Sequence, residues 1–454
     1  MRVPHPHYDA NVRRPAIDGA PPVSPNAPRA PEVQKIHSNF LETLIFNGLS
    51  SPLALVLVVI QGRYLHTSGR GSFVLVILSV TLLTRLLGQL GYAVTNRTHQ
   101  QGADLKSLTQ SSFAIAVVLG LTGTALVVAW GALVGDASTT VVVVAALALI
   151  PNVVWQSVCG IVLGLGQVRL WNIIQTLPSV LIVIGFAVFV IGLDMGVEGA
   201  VLAWTVTHLL TAVFALVATR KTWRPLPLDR FLDLFSRQLA WLALTMGAVQ
   251  VVNLLSYRIE LIVLERSKGL GEVGIYSIAV QTGEMVWLLA GALTTAVTAS
   301  ALADDEKGAV AIISRTAGKA LLYTTVIGVA MGAFVPYAFG PVLGSSFEAA
   351  TTPLRLLLPG QVVYAPVTIL VVYLSVRRGR PGLSLAVSVA GLVVTFVSSL
   401  VLIPSYGASG AAAASAIGYG AGALLAWGLF TKLARTPEKA PAPAAAPAVA
   451  KTGA

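Results

Sequence analysis

Residues 170–193 read LWNIIQTLPSVLIVIGFAVFVIGL, and residues 196–219 follow them with GVEGAVLAWTVTHLLTAVFALVAT. Each run exceeds the ~20 residues with which a helix crosses about 30 Å of hydrocarbon. The first run has no charged residue, and the second has only Glu198. Comparable runs recur along the rest of the chain, so the sequence predicts an all-α membrane protein.

The composition of the 454-residue chain supports this prediction. Hydrophobic residues make up 55% and charged residues 11%, and the mean hydropathy is +0.79. Soluble proteins carry about 25% charged residues, so this chain has too few to cover a water-facing surface. The net charge of +11 does not indicate nucleic acid as a partner, because the basic residues lie between the apolar runs, where they set membrane topology. Cys159 is the only cysteine, which excludes an intramolecular disulfide and a cysteine metal cluster.

The apolar runs predict twelve transmembrane helices in two sets of six. The first six spans are predicted at Phe40–Tyr64, Gly71–Asn96, Ser111–Val134, Thr139–Leu165, Leu170–Leu193 and Gly196–Thr219. The second six are predicted at Gln238–Leu264, Gly271–Leu302, Ile313–Leu343, Thr351–Val376, Gly382–Ile403 and Gly410–Leu433.

The distribution of the 30 Lys and Arg residues predicts that both termini are cytoplasmic, because most of them then lie on the inner side. Only a few then fall in external loops, and these are Arg63, Arg70, Arg266 and Lys268. We expect residues 1–37 and 436–454 to be disordered cytoplasmic tails, since both are rich in proline and poor in large apolar residues. The six-span halves are residues 38–219 and 238–435. Residues 220–237 form a cytoplasmic linker, either a short interfacial helix or a plain connector.

The two halves show signs of an internal repeat. Gly196-Val-Glu-Gly leads into span six, and Gly407-Ala-Ser-Gly leads into span twelve. Gly71 opens span two much as Gly274 opens span eight. Halves with six spans each have the same orientation, so their repeat axis runs along the membrane normal. In transporters of this kind the substrate binds between the halves, which rock against each other.

Three segments resemble the polysaccharide flippase branch of the multidrug/oligosaccharidyl-lipid/polysaccharide exporter superfamily. Residues 69–74 (GRGSFV) resemble the glycine-rich entry to span two. Residues 257–260 (YRIE) and 272–279 (EVGIYSIA) are similar to the end of span seven and the start of span eight. Residues 403–412 (IPSYGASGAA) resemble the linker between the last two spans. Glu260 departs from the pattern, because an aspartate is commoner there.

This resemblance implies two six-helix bundles around a central cavity lined by spans one, two, seven and eight. It also implies a lipid-diphosphate-linked glycan as the transported substrate. We therefore expect a flippase that moves a polyprenyl-diphosphate-linked oligosaccharide across a bacterial plasma membrane. Membrane lipids surround such a protein, and glycosyltransferases or a polymerase of the same pathway are candidate partners.

Charged residues inside the predicted spans are the candidate substrate site: Arg85, Arg258, Glu260, Glu284 and Arg355. A charge within a span is costly, so each should meet a partner or a water-filled cavity. Helix geometry places Arg85 about 21 Å and Glu284 about 20 Å below the outer ends of their spans. An ion pair between them is therefore allowed. Arg258 and Glu260 are two residues apart and should have separate partners.

Arginine suits a diphosphate, because its planar fork donates paired hydrogen bonds to phosphate oxygens. Arg355, near the outer end of span ten, either belongs to this site or extends to the outer membrane surface. No cofactor motif is present. Asp304-Asp-Glu306 has no neighbouring histidine, which favours a solvated loop over a metal site.

Three other functions compete with the flippase. A multidrug antiporter of the same superfamily would need carboxylates to dominate the cavity, yet three arginines face two glutamates. A membrane enzyme such as a glycan polymerase normally carries a sizeable external loop, and none is predicted. A scaffold that recruits glycan-synthesis partners without transporting anything stays open on sequence grounds.

Overall fold

The computed structural model describes residues 33–101, 104–134, 138–227, 230–303 and 306–436. Within these residues all regular structure is helical and no strand occurs, which confirms the all-α prediction. The two predicted tails lie almost entirely outside the described residues, and the first helix begins at Val33.

Sixteen α-helices are described. In the first half they are α1 (Val33–Leu87), α2 (Leu90–Gln101), α3 (Leu105–Val134), α4 (Thr139–Leu147), α5 (Leu149–Gly164), α6 (Val168–Gly185) and α7 (Gly196–Ala218). In the second half they are α8 (Arg237–Leu255), α9 (Ile259–Lys268), α10 (Leu270–Gly283), α11 (Trp287–Ala303), α12 (Glu306–Phe334), α13 (Pro336–Ala338), α14 (Thr351–Tyr364), α15 (Val367–Val371) and α16 (Pro381–Ala434). Short π-helical segments at Phe186–Gly192, Phe339–Leu343 and Val372–Arg377 extend α6, α13 and α15.

Ten segments of the described chain are long and apolar enough to cross a membrane. Two of them, Pro52–His99 and Pro381–Ala434, have 48 and 54 residues. At about 1.5 Å per residue, each is more than twice as long as the ~30 Å hydrocarbon layer is thick. Each contains one non-helical residue, His66 (φ 55°) or Gly407 (φ 56°). We infer that the chain reverses direction at these two residues. The count of twelve spans stays a prediction.

The internal repeat is visible in the backbone. Left-handed residues occur at corresponding junctions of the two halves: His66 and Gly269, Gly166 and Gly379, Gly196 and Gly407. Each pair immediately precedes corresponding helices. The two halves therefore share turn geometry as well as short sequence motifs.

Buried apolar side chains form one core cluster in the first half and two in the second. The first cluster joins helices α1 through α7, including Leu149 and Ile174, and it also takes in Leu239 of α8. The second joins α9, α10, α14, α15 and α16, and it also takes in Leu78 of α1. Helix α1 thus contributes to the packing of both halves, because a third cluster contains its Val58.

The two halves are in backbone contact where α1 crosses α10, near the ends that the sequence predicts to be external, and we call this contact the outer crossing. A methyl group built on Gly71 would overlap the carbonyl oxygen of Leu270, and one on Gly274 would overlap the carbonyl oxygen of Thr67. The two contacts are equivalent under the repeat, so the crossing has approximate two-fold symmetry. Only glycine allows two backbones to approach this closely.

A carboxylate fastens the start of the last helix within the second half. Glu272 of α10 accepts a hydrogen bond from the backbone N–H of Ala408 at 2.7 Å. Ala408 directly follows Gly407, where α16 bends. Because the helix is interrupted there, the N–H of Ala408 has no carbonyl partner in a preceding helical turn. The contact caps the final helical segment as an N-terminal aspartate or glutamate would.

Glu306 holds the end of the second half that the sequence predicts to be cytoplasmic. Its carboxylate accepts a hydrogen bond from the Tyr373 hydroxyl and lies 2.7 Å from a guanidinium nitrogen of Arg378. Arg378 also donates to the carbonyl oxygens of Leu433 and Thr436. Glu306 therefore joins α12 to the ends of the tenth and twelfth predicted spans.

The described part of the linker forms 3-10 turns at Arg220–Thr222 and Leu232–Leu234. The side-chain amide of Gln110 on α3 donates to the carbonyl oxygens of Trp223 and Pro225. Between the two sequence-based alternatives, this geometry favours a connector held against α3 over a continuous interfacial helix.

Candidate functional site

The seventh and eighth predicted spans are both interrupted. Ser256, Tyr257 and Arg258 separate α8 from α9. A single 3-10 turn, Glu284–Val286, separates α10 from α11. Broken helices inside a membrane occur where backbone and charged groups are buried in protein or line a water-filled cavity. The two breaks lie side by side and bring charged residues together.

Arg258 and Glu284 form a two-pronged ion pair. The guanidinium nitrogens Nη1 and Nη2 donate to Oε1 and Oε2 at 2.7 and 2.9 Å. About a quarter of each side chain remains exposed. The allowed pair between Arg85 and Glu284 is not formed in this structure. The sequence predicts span seven as one continuous helix, whereas the chain breaks after Leu255, and Arg258 in this break pairs with Glu284.

Glu260 lies in a separate and fully buried environment. Its Oε1 accepts a hydrogen bond from the Tyr276 hydroxyl at 3.0 Å, and that hydroxyl lies 2.9 Å from the Ser415 hydroxyl. Its Oε2 has no partner among the described residues. Arg258 and Glu260 thus have different partners, as their spacing predicted.

Four aromatic side chains pack beside the ion pair, and we call them the aromatic cluster: Tyr257, Trp287, Tyr364 and Tyr419. Their ring centroids are 5.3 to 6.1 Å apart. The hydroxyls of Tyr257 and Tyr364 are 3.2 Å apart. Tyr257 and Trp287 are only partly buried, so the cluster presents two ring surfaces next to Arg258. The sequence analysis missed this cluster, because its members come from four predicted spans.

Arg85 lies on the face of α1 that is turned toward the second half. Leu78 and Leu82 on this face pack against the second-half core, and residues seven and three positions apart share a helix face. Arg85 is nevertheless exposed. It makes no hydrogen bond or ion pair with another described residue. It lies close enough to Tyr92 of α2 for an electrostatic interaction between the two side chains.

Arg355 is not part of this constellation. It is exposed and donates from Nε to the carbonyl oxygen of Gly332 at 3.0 Å. It borders an open groove of about 350 Å³ between α12 and α14. Val329, another residue of this groove, is 69% exposed. The groove therefore lies on the periphery of the second half and faces away from the first half. Of the two sequence-based alternatives, the structure favours a surface position for Arg355.

Arg70 is the charged residue that sequence reasoning misplaced. It was assigned to an external loop, yet it lies inside α1 with 1% of its surface exposed. Residues 65–72 contain two glycines and no proline, and with a single left-handed residue at His66 the helix resumes before Arg70.

The described residues contain no group of three or more histidine, cysteine, aspartate or glutamate side chains that could hold a metal ion. Asp304 and Asp305 lie outside the described residues, and Glu306 is engaged by Tyr373 and Arg378. His208 is buried against Trp204, to whose carbonyl oxygen its Nδ1 is hydrogen-bonded at 2.8 Å.

Comparison with known proteins extends this description. A family model described as "Polysaccharide biosynthesis protein" matches residues 36–300. The chain belongs to this polysaccharide biosynthesis protein family. The match covers the whole first half, the linker, span seven and span eight as far as Ser300. No curated protein matches the sequence.

Solved structures show the same fold. The lipid II flippase MurJ in an inward closed conformation superposes with a TM-score of 0.75 at 13% identity, covering 86% of this chain and 87% of MurJ. An inward-facing multidrug resistance MATE family transporter of the MOP superfamily gives 0.68 at 16% identity, covering 86% and 98%. A MOP superfamily transporter from Pyrococcus furiosus with a binding pocket of reversed polarity gives 0.57 at 17% identity, covering 88% and 95%. The chain therefore shares the fold of these three proteins.

Proposed function

We propose that this polysaccharide biosynthesis family member is a flippase for a polyprenyl-diphosphate-linked oligosaccharide. It moves this lipid from the inner to the outer leaflet of a bacterial plasma membrane, for the synthesis of cell-surface polysaccharide. The observation that carries the proposal is Arg85, an exposed arginine without a carboxylate partner on the face of α1 turned toward the second half. A cation in that position suits an anionic head group.

The membrane potential supports the direction of transport. With the cell interior negative, outward movement of a dianion is favourable by about 4.6 kcal/mol per 100 mV, twice the value for one charge. Export of a cationic drug would run against the same potential. An arginine-bearing cleft therefore fits an outgoing diphosphate better than an outgoing cation.

The packing of the two halves supports alternating access. They are in backbone contact at the outer crossing of Gly71 and Gly274. Further inward, Leu86 of α1 touches Gly247 of α8, whereas α11 packs against α12 and α15 of its own half. This asymmetry supports an opening toward the cytoplasmic side between α1 and α11, through which a lipid-linked head group can enter.

A second candidate is a cation-coupled multidrug antiporter. Glu260 favours it, because a buried carboxylate with one free oxygen is a suitable acceptor for a proton or a small cation. The MATE transporter similarity is consistent with that function. Ion coupling at Glu260 is equally compatible with the flippase, so the transported substrate is the property that separates the two candidates.

The substitution Arg85→Gln tests the choice between them. In proteoliposomes with an imposed potential, positive on the receiving side, the wild-type protein should flip a lipid-diphosphate-linked glycan. Arg85→Gln should reduce that rate at least tenfold, because the amide loses the charge-assisted contact to phosphate. Arg169→Gln, an exposed substitution in the first turn of α6, is the matched control and should flip at the wild-type rate. Expulsion of cationic dyes in exchange for H⁺ or Na⁺, without glycan movement, would support the antiporter instead.

The topology gives a further prediction. Reporters at Ser68, Ser267 and Ser405, all exposed, should be accessible from outside the cell. Tags at both termini and at Arg224 should be accessible only from the cytoplasm. Each reporter is a single cysteine introduced into a Cys159→Ser background. The measurement is the labelling of that cysteine by a thiol reagent that cannot cross the membrane. An external Arg224 would contradict the arrangement of two parallel six-span halves.

Glycosyltransferases or a polymerase of the same pathway are the proposed partners, since the lipid-linked glycan must be made on one side and used on the other. The cytoplasmic tails, residues 1–37 and 436–454, are the proposed docking segments for such enzymes. Crosslinking of the full chain in cells, compared with a chain lacking residues 437–454, tests this assignment.

A further inference from the structure

Arg70 is held at the junction of the two halves by neutral groups. Its Nε donates to the Ser277 hydroxyl at 2.8 Å, Nη1 to the side-chain oxygen of Gln61 at 2.5 Å, and Nη2 to that of Gln281 at 2.6 Å. Gln61 is in α1, whereas Ser277 and Gln281 are in α10. No ion pair joins Arg70 to a carboxylate among the described residues. A buried cation without an anionic partner is unfavourable, even when neutral hydrogen bonds surround it.

The approximate two-fold symmetry of the outer crossing shows that packing does not require this network. Gly71 corresponds to Gly274, and at the same spacing the four polar residues Arg70, Gln61, Ser277 and Gln281 correspond to Val273, Leu264, Val74 and Leu78. All four counterparts are apolar and belong to the second-half core or pack against it. Apolar packing around Val273 is therefore sufficient for the crossing on one side of the symmetry axis. On the other side, the equivalent position holds the cation Arg70 and its three polar partners.

The network lies along a polar row that leads to the ion-pair site. Ser277, Gln281 and Glu284 occupy positions i, i+4 and i+7 of the eighth span, and so follow one helix face. Arg70, Thr81 and Arg85 lie on one face of α1, with the apolar Val74 and Leu78 between Arg70 and Thr81. A group that leaves Arg85 and Arg258 toward the outside therefore reaches Arg70 next.

We propose that Arg70 is a second anion-binding site, which Ser277 and Gln281 occupy while the outer crossing is closed. The inference rests on the proposed function in naming the ligand, a phosphate-type oxyanion such as the diphosphate of a lipid-linked glycan. Separation of α1 from α10 takes Ser277 and Gln281 away from Arg70. The anion then accepts hydrogen bonds from the guanidinium N–H groups of Arg70 that Ser277 and Gln281 have left. These bonds to an anion are stronger than the bonds to neutral oxygens. Binding there favours the state in which the outer crossing is open.

Distance measurement between two external spin labels tests the proposal. The labels are placed at Asp194→Cys and Ser405→Cys, both exposed on opposite halves, in a Cys159→Ser background. Inorganic pyrophosphate is the probe, and the full chain is reconstituted in nanodiscs. Pyrophosphate should increase the population of the longer distance. Arg70→Gln should require at least tenfold more pyrophosphate for the same shift, and Arg70→Lys should be intermediate, because it keeps the charge but loses the fork.

Arg266→Gln is the matched control, since it removes an exposed external arginine and should respond as the parent does. An unchanged pyrophosphate response in Arg70→Gln would overturn the proposal. A longer distance between the labels in Arg70→Gln without pyrophosphate would also overturn the proposal. Arg70 would then only stabilise the closed crossing and would not bind an anion. Absence of a response in the parent protein would also reject the site. Glycan flipping by the parent, measured separately, decides the proposed function whatever the labels report.

Discussion

Arg258→Gln and Glu284→Gln should each lower the free energy of unfolding, and the double substitution should restore most of it. Removing one member of a buried ion pair leaves the other unpaired, which costs about 3–5 kcal/mol in full burial. Because a quarter of each side chain is exposed, we expect about 2 kcal/mol. Thermal unfolding of the purified protein in detergent, analysed as a double-mutant cycle, gives the coupling between the two residues.

Transport separates a structural role of this pair from a role in binding. If Arg258 contacts the head group, the double substitution should regain stability but still flip the lipid-linked glycan at least tenfold more slowly than the wild-type protein. A purely structural pair would regain both properties together. Arg266→Gln again serves as the control, since its contact with Glu265 is 3.5 Å long and exposed.

Gly274→Ala should produce the largest change at the outer crossing. A methyl group there overlaps the carbonyl oxygen of Thr67, a backbone atom that cannot rotate away. Overpacking of this kind typically costs about 1–3 kcal/mol. The methyl group destabilises the state in which the outer crossing is closed. The rate of lipid flipping should therefore fall at least tenfold. Gly71→Ala should behave in the same way, because its contact with Leu270 is the symmetry-related one.

The control for this prediction lies in the same span. Gly291 of α11 has no atom within 4 Å of a built Cβ, so Gly291→Ala adds a methyl group in open space. It should leave stability and flipping unchanged. Equal effects of Gly274→Ala and Gly291→Ala would show that any helix perturbation in span eight impairs transport, and the crossing would lose its special role.

The sequence predicts the class of fold well, because long apolar runs leave few alternatives to membrane helices. It is less informative about the ends of spans one and two. Residues 65–70 contain polar and glycine residues, so a loop was predicted there. The chain instead resumes a helix directly after His66, which moves Arg70 from solvent into the interior. One left-handed residue produced this difference, and composition does not reveal it.

The sequence predicts which charged residues belong to the site better than it predicts the contacts between them. Charges within apolar spans are rare, so Arg258, Glu260 and Glu284 could be selected from the sequence alone. Their pairing depends on the helix breaks at Ser256–Arg258 and Glu284–Val286, which change the direction of the side chains. Neither break contains a proline, so no residue type announces them. The aromatic cluster was invisible for a different reason, since it is assembled from residues up to 162 positions apart only in three dimensions.

The hydrogen bond between Glu272 and Ala408 joins residues 136 positions apart, and this separation bears on how the protein is made. Chains emerge from the ribosome N-terminus first, at about 5–20 residues per second. Span eight therefore enters the bilayer several seconds before its capping partner has been synthesised. During that interval the Glu272 carboxylate lacks its final ligand, and the outer end of the second half is incomplete. A nascent chain that ends before residue 408 carries the same defect permanently, which gives a membrane protease a physical feature by which truncated copies differ from finished ones.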